Sequence, residues 1–333
     1  MTVAAAAVWP RLEDVVDPIR RIVADADQIT CLAHKDADAD SLGSALGFAQ
    51  ALRAKGRIIR VVVPEPLPRL LEYLPGFEMV ETGGAPLGGT VFTFDCATLG
   101  RFGERRAEVE RAGTVVNIDH HLSNTGFGTI NLVDASASAT GQVIYRLLRE
   151  LGAPISPAVA TDLYAALFTD TGGFRHENTT EASLRLAAAL VAAGADPGWV
   201  ALKSYKSRSL AQVRLEGMAV AQMHSEMDGR LLWSEVTHQM LEQAGADLQD
   251  SEGIIDALQS IATMQIAILF KEHTADRTKI SVRSRDPIDA TDVCTPFGGG
   301  GHRRAAGAEF GDPLPVAERK VLEVARRLID SAR

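Results

Sequence analysis

Cysteine is scarce in this chain of 333 residues. Its three thiols, Cys31, Cys96 and Cys294, are scattered and odd in number, with no paired metal-type spacing. That excludes a disulfide framework or a cysteine-ligated zinc module, and fits a reducing cytoplasm. Aromatic residues are also few, at 5%. Basic charge is outweighed, leaving a formal charge of −9, which argues against a protein that coats duplex DNA through a broad basic surface. A small anionic substrate stays compatible, because bound cations and a few arginines reverse the sign locally. No apolar run reaches the ~18 residues of a membrane span. Met1 to Trp9 is Ala-rich but has no basic n-region and stops at Pro10; it reads as a frayed end rather than a secretion signal. The 46% hydrophobic and 23% charged content is ordinary for a globular protein, and the length allows two domains with their own cores.

Short β-type runs alternate with helical stretches over residues 12–150. Leu12 to Ala26 reads as a helix, a strand leads into His34, and Ser41 to Lys55 follows as a helix with Leu42, Leu46 and Ala49 on one face. Arg57 to Val63 and the runs before Asp95 and Asp119 are further strands. Strands alternating with helices predict a parallel sheet covered on both faces. From Ala137 to about Ser209 the pattern is helical, with turns at Gly172-Gly173 and at Gly194 to Pro197. The pattern then restarts, with strands at Arg230–Val236, Met264–Phe270 and Lys279–Arg283, and helices at His238–Glu242, Glu252–Leu258 and Leu314–Arg333. The expected organisation is an α/β domain over residues 1–190, a helical linker over 191–215 and a smaller α/β domain over 216–333.

Chemistry concentrates where apolar runs end. Ile29 to Ala33 leads into His34, Asp36, Asp38 and Asp40; Val91 to Phe94 leads into Asp95; Thr114 to Ile118 leads into Asp119-His120-His121; Leu167 to Thr169 leads into Asp170. In an open parallel sheet such positions gather at the carboxyl edge, where ligands bind. An Asp-x-Asp by itself is ordinarily a turn or helix cap, and a His-His pair an ordinary loop feature. Four such segments together read as a metal centre, because converging carboxylates and imidazoles need a cation among them. Mixed oxygen and nitrogen donors suit Mn²⁺, Zn²⁺ or Co²⁺ better than Mg²⁺. Asp38 and Asp40 are expected to face different ions from an extended loop, with Asp95 able to bridge them. Asp119, next to His120, points away in an extended segment and would orient its neighbours.

In the C-terminal part, Gly298 to Gly301 would let backbone N–H groups approach an anion, and His302 closes the run. Arg283 and Arg285 alternate onto one strand face and are expected to reach the same phosphate or base. Arg303 and Arg304 read as solvated surface, whereas His176, beside Arg175 and Asn178, is expected near the cleft.

With these segments in order, the chain resembles the DHH phosphoesterases. His34-x3-Asp38-x-Asp40-x2-Gly43-Ser44, Asp95, Asp119-His120-His121 and Thr169-Asp170-Thr171-Gly172 are similar to that family's four motifs. Gly298 to His302, followed by Ala305-Ala306-Gly307, is similar to the glycine-rich motif of the DHH-associated C-terminal domain. Ala37 and Ala39 stand where the family often has proline and glycine, and Asp36 is expected to face solvent. The resemblance implies two Mn²⁺ ions, with Mg²⁺ or Co²⁺ as substitutes. His34 and Asp38 would hold one, Asp40, His120 and Asp170 the other, and Asp95 both. It places Asp95, His121 and Asp119 at the reacting centre, and Arg283, Arg285, Gly299, Gly300, Gly301 and His302 at the substrate.

Among such enzymes the domain content resembles the stand-alone oligoribonucleases that also dephosphorylate adenosine 3′,5′-bisphosphate (pAp). Family II pyrophosphatases lack the Gly-rich-His signature, RecJ-type exonucleases are much longer, and membrane-tethered cyclic-dinucleotide phosphodiesterases carry preceding membrane segments. The implied substrates are short single-stranded RNA and pAp, not duplex DNA, in a cytoplasmic enzyme of family-typical homodimeric habit. A linear or cyclic di-AMP phosphodiesterase, a pyrophosphatase and a non-catalytic nucleotide sensor are the alternatives; all six implied metal ligands are present, which argues against the sensor.

Overall fold

The computed structural model describes residues 9–332, so the stretch read as a frayed end lies outside the described residues except for Trp9. The chain divides into two compact units, the first ending at Ser207 and the second beginning at Arg208.

The first unit is built on six parallel strands: β1 (Ile29–Leu32), β2 (Ile59–Val62), β3 (Val80–Glu81), β4 (Thr90–Phe94), β5 (Thr114–Asp119) and β6 (Ile130–Val133). Their spatial order is β3-β2-β1-β4-β5-β6. The order reverses between β1 and β4, which makes the gap beyond their carboxyl ends the topological switch point. β1 and all of β4 but Thr90 are buried, as expected for strands covered on both sides. Cys31, Val61, Phe92, Phe94, Val116 and Ile118 face the larger core, whereas Leu32, Val62, Val91 and Val115 face a smaller one with Phe102 and Val109.

The helices are α1 (Leu12–Asp25), α2 (Ala39–Arg53), α3 (Arg106–Arg111), α4 (Thr140–Glu150), α5 (Pro157–Asp170), α6 (Glu181–Ala192) and α7 (Pro197–Tyr205). α2 has no solvent face over most of its length, since Ala39 to Ala49 are all buried. Phe48 packs on Phe92 and Phe94 with ring centroids 5.0 and 5.5 Å away. On its other side α2 approaches α5 so closely that a Cβ at Gly43 would stand 2.7 Å from the Asp162 carbonyl oxygen. Glycine is therefore required where α2 starts.

The second unit carries a mixed sheet of β7 (His224–Glu226), β8 (Leu231–Val236), β9 (Ile266–Thr274), β10 (Arg277–Ser284), β11 (Gly300–His302) and β12 (Ala305–Phe310), in the order β11-β12-β10-β9-β8-β7. Only β8 and β9 pair in parallel. α8 (Leu210–Ala221), α9 (His238–Ala244) and α10 (Ile254–Gln259) cover one face, and α11 (Ala290–Cys294) and α12 (Leu314–Ser331) the other.

Three expectations are corrected. The segment 191–215 is helical, as expected of the linker, but it is packed into the units at both ends: α7 buries Val200 in the first unit's core, and α8 buries Leu215 and Ala219 in the second. The run Leu167 to Thr169 does not bring Asp170 to the centre from a strand end of the sheet: it is the last turn of α5, inside the stretch expected to be helical. The helix after His34 begins at Ala39, two residues early, with Asp38 as its N-cap. No single helix among the described residues is long and apolar enough to cross a membrane. All three cysteines are free and buried.

Candidate metal centre

The carboxyl ends of β1, β4 and β5 bring His34, Asp95 and His120 together, as the sheet order requires. Asp95 stands just past β4 with φ 58°, a left-handed conformation that aspartate tolerates better than most side chains. Its two oxygens divide. Oδ2 lies 3.5 Å from His34 Nε2, and Oδ1 lies 3.4 Å from His120 Nε2. Asp38 Oδ2 is 3.9 Å from His34 Nε2, while Asp40 Oδ2 and Asp170 Oδ2 are each 3.7 Å from His120 Nε2. Three donor groups result, His34–Asp38–Asp95, Asp40–His120–Asp170 and Asp95–His120–His121, each with its ligand atoms within 4.8 Å of one another.

The surrounding structure aims these donors. His34 Nδ1 donates to the Lys35 carbonyl at 2.8 Å and His120 Nδ1 to the Ala137 carbonyl at 3.2 Å. A carbonyl only accepts, so both rings keep the Nε2 lone pair for the centre. Asp38 divides its duties, since Oδ1 caps α2 by accepting from Ser41 N at 2.9 Å. Asp40 lies in the first turn of α2 rather than in a loop, and it meets the start of α4. That helix has no side-chain cap of its own. Its first N–H groups, from Thr140 and Gly141, instead donate to Asp40 at 2.7 and 2.9 Å, the way an anion is held at a helix N-terminus. Thr140 also donates its hydroxyl to Asp95 Oδ1 at 2.9 Å. Asp170, at the end of α5, accepts from Asn178 Nδ2 at 3.3 Å, and His176 Nδ1 donates to its carbonyl at the same distance. Gly172 permits that return, because a Cβ there would overlap the His176 ring.

Asp119 is fully buried and orients rather than ligates. Its Oδ1 accepts from the backbone N–H of His120 and His121 and from His121 Nδ1, at 2.7, 3.2 and 2.7 Å. Its Oδ2 accepts from Asn124 at 2.6 Å. His121 Nδ1 is also 3.5 Å from Asp95 Oδ1, but a nitrogen donating to Asp119 offers no lone pair to a cation there.

The charges fit a cation. Burial, then repulsion from Asp95 and Asp170, pushes Asp40 well above the usual carboxylate range. Burial with Asp95 and Asp38 raises Asp170 to about 7, although His120 opposes the shift. Burial would lower His120, but its hydrogen bond to Asp95 and the charges of Asp170, Asp95 and Asp40 lift it well above normal. His121 is displaced upward too, its burial outweighed by Asp95 and Asp119. Burial would raise Asp95, yet His121, His120 and His34 hold it well below. The protons that these groups retain are those a divalent ion would displace on binding. Asp36 is exposed, as expected.

In the second unit, Arg283, Ala305 and His302 form one row across β10, β12 and β11; the His302 side chain lies outside what is described. Arg283 faces α10, with Nε 3.9 Å from Asp256. Arg285 lies one residue past the end of β10 and is tied elsewhere. Its guanidinium donates to the Gln259, Ile261 and Ala262 carbonyls at 2.8, 3.2 and 2.9 Å, closing the C-terminal end of α10, so it does not join Arg283 at a phosphate. The glycine run also has a packing reason. A Cβ at Gly299 or Gly301 would come within 2.3 or 2.4 Å of the Gly307 or Ala305 carbonyl oxygen, whereas at Gly300 it would meet nothing within 4 Å. Arg303 and Arg304 are not simply solvated, since both pair with Asp286.

Thr140, Gly141, Asn124 and Arg101 escape the sequence reading. The run Ala135 to Gly141, preceding an apolar-periodic stretch, signals a helix N-terminus and could have disclosed Thr140. Asn124 sits in a loop and Arg101 in the 3-10 turn Leu99–Arg105, neither with a pattern.

This arrangement defines a metal-dependent phosphoesterase, and the chain belongs to the DHH family. Residues 28–167 match the DHH family, N-terminal domain, and residues 228–331 match the DHHA1 domain. More particularly, it is 31% identical over 327 residues to the bifunctional oligoribonuclease and PAP phosphatase NrnA of Thermus thermophilus, covering 97% of this chain and 96% of that one. It is 26% identical over 296 residues to the Bacillus subtilis protein of the same name, covering 87% and 91%. A solved exopolyphosphatase-related protein from Bacteroides fragilis superposes with a TM-score of 0.86 at 25% identity, over 95% of this chain and 96% of that one.

Proposed function

We infer that the protein degrades short single-stranded oligoribonucleotides to mononucleotides and also removes the 3′-phosphate of pAp, in a reducing compartment where its cysteines stay thiols. The carrying observation is Asp95, whose two oxygens divide between His34 and His120 as a carboxylate shared by two cations must. In this reading His34, Asp38 and Asp95 would hold one Mn²⁺ ion, and Asp40, His120 and Asp170, with Asp95, would hold a second. When bound, such a pair supplies Lewis acidity that offsets phosphoryl charge and makes water a nucleophile at neutral pH.

The protein's own groups do the rest. Asp40 keeps its charge against the start of α4, and Thr140 fixes the roll of the Asp95 carboxylate. His121, with Asp119 behind Nδ1, carries a proton on Nε2 for the departing oxygen, an arrangement in which the carboxylate stabilises the imidazolium. Arg283, His302 and the backbone around Gly299, Gly300 and Gly301 take the terminal phosphate or base of the substrate. The open space at Gly300 supports a close approach there.

The test is product analysis with Mn²⁺ on dinucleotide and five-nucleotide RNA, pAp, cyclic di-AMP and pyrophosphate, offered separately. Mononucleotides from the RNAs and AMP from pAp are expected, with Asp95→Ala folded but inactive. Release of phosphate from pyrophosphate alone, or turnover by Asp95→Ala, refutes the reading.

A further inference from the structure

Arg101 lies in the 3-10 turn Leu99–Arg105 that follows Asp95. Its Nη2 is 3.0 Å from His34 Nε2 and 3.1 Å from His34 Nδ1. An atom equally far from both ring nitrogens, at that range, cannot lie in the ring plane without driving into the ring carbons. That nitrogen therefore sits over the imidazole face with its N–H turned onto the ring, as a cation does over an aromatic ring. The in-plane directions stay as described, Nδ1 to the Lys35 carbonyl and Nε2 toward Asp95 and Asp38. Arg101 thus stands against a metal ligand without taking its lone pair.

The turn that delivers it is fixed. Arg101 accepts from Lys35 N at 2.8 Å through its carbonyl and donates its own N–H to the Thr98 carbonyl at 3.1 Å. Gly103, at φ 55°, lets the chain turn against the Lys35 side chain. His34 is 1% exposed, whereas Arg101 is exposed, so the guanidinium marks where the buried donor set meets solvent. Among the described residues no carboxylate pairs with Arg101, which leaves its outer N–H groups for a ligand.

We propose that Arg101 is a substrate-binding residue of the first unit, held over the face of His34 by one N–H and donating its others to the non-bridging oxygens of the phosphoryl group undergoing hydrolysis. The inference rests on the phosphoesterase reading and adds a protein-borne cation to it. A planar fork of donors matches a phosphate's paired oxygens, and lysine offers only a point charge. The ligand chemistry is a phosphate monoester or diester, and its nucleobase is not engaged.

The experiment compares wild type, Arg101→Lys and Arg101→Gln in two calorimetric titrations, Mn²⁺ into the metal-free protein and AMP into the Mn²⁺-loaded protein. Steady-state kinetics on dinucleotide RNA and pAp accompany them. Arg101→Gln is expected to weaken AMP binding at least tenfold, with Arg101→Lys between it and wild type, and Mn²⁺ affinity within twofold for all three. Unchanged AMP binding in Arg101→Gln overturns the proposal. An equal fall in Mn²⁺ and AMP affinity also overturns it, because Arg101 would then only hold the His34 ring. A wild type that binds AMP but cleaves neither RNA nor pAp refutes the proposed activity, and the AMP comparison still decides Arg101. A wild type that cleaves RNA without binding AMP leaves the activity standing and refutes the role of Arg101.

Discussion

Replacing Thr140 with valine removes one hydroxyl from a fully buried position and keeps the side chain's shape. The backbone N–H that Thr140 gives to Asp40 stays, as does the start of α4. What goes is the 2.9 Å bond to Asp95 Oδ1, the oxygen that faces His120. A hydrogen bond to a charged group is worth about 1.5–3 kcal/mol, and each 1.4 kcal/mol or so is about tenfold in a rate or an equilibrium. Thr140→Val should therefore lower either Mn²⁺ affinity or kcat/KM on a dinucleotide by about 10- to 100-fold, the range seen when a group behind a metal ligand is removed. Thr140→Ser, which restores the hydroxyl, should recover most of the loss. Calorimetric Mn²⁺ titration and initial rates at saturating metal separate the two effects. If Thr140→Val stays within twofold of wild type in both, the roll of Asp95 is set by the histidines alone and the division of its oxygens is not a working feature.

Two further outcomes concern groups away from the centre. Asp162 is buried between α2 and α5 beside Gln50 Nε2, and burial, reinforced by Glu78, raises its carboxyl well above normal despite that bond. A carboxyl raised in the folded state contributes stability below the ordinary carboxylate range and loses it as pH rises through the folded value. Asp162→Asn should thus melt higher than wild type at pH 8, by about 1.4 kcal/mol per unit of displacement, and converge with it toward pH 4; a difference independent of pH refutes this. Arg285→Ala should destabilise the second unit by about 2–3 kcal/mol through the loss of charged donors to three carbonyls. Arg283→Ala should leave the melting temperature unchanged and raise KM for short RNA, and the reverse pattern would exchange their roles.

The candidate ligand set is legible in the sequence because strand ends announce themselves: an apolar run followed by acids or histidines, when it recurs along a chain, is more than turns and helix caps produce. Asp170 is found although its run is helical, since the acid ends its element either way. The support around the set is less visible. Thr140 and Gly141 act through backbone N–H groups, which every residue but proline possesses. Arg101 meets His34 only because β1 and β4 are neighbours, a fact of sheet order that no local pattern encodes. Arg285 shows the opposite failure. The strand pattern leading up to it follows from the residues, but the helix end waiting there does not. β3 and β6, short and flanked by glycine or serine, fall below what periodicity detects.

The switch point between β1 and β4 also bears on how the protein comes into being. The donors span residues 34 to 170, and the two histidine-centred sets meet only once the two halves of the sheet are joined. No hairpin or single βαβ unit of this chain contains either complete set. Early folding intermediates therefore have little to offer a divalent ion, and tight binding waits for the whole first unit. By mass action, each tenfold rise of metal above its dissociation constant then stabilises that entire unit by about 1.4 kcal/mol. Metal supply and the survival of the folded enzyme are coupled quantities, and a cell short of the ion holds fewer intact molecules as well as fewer active ones.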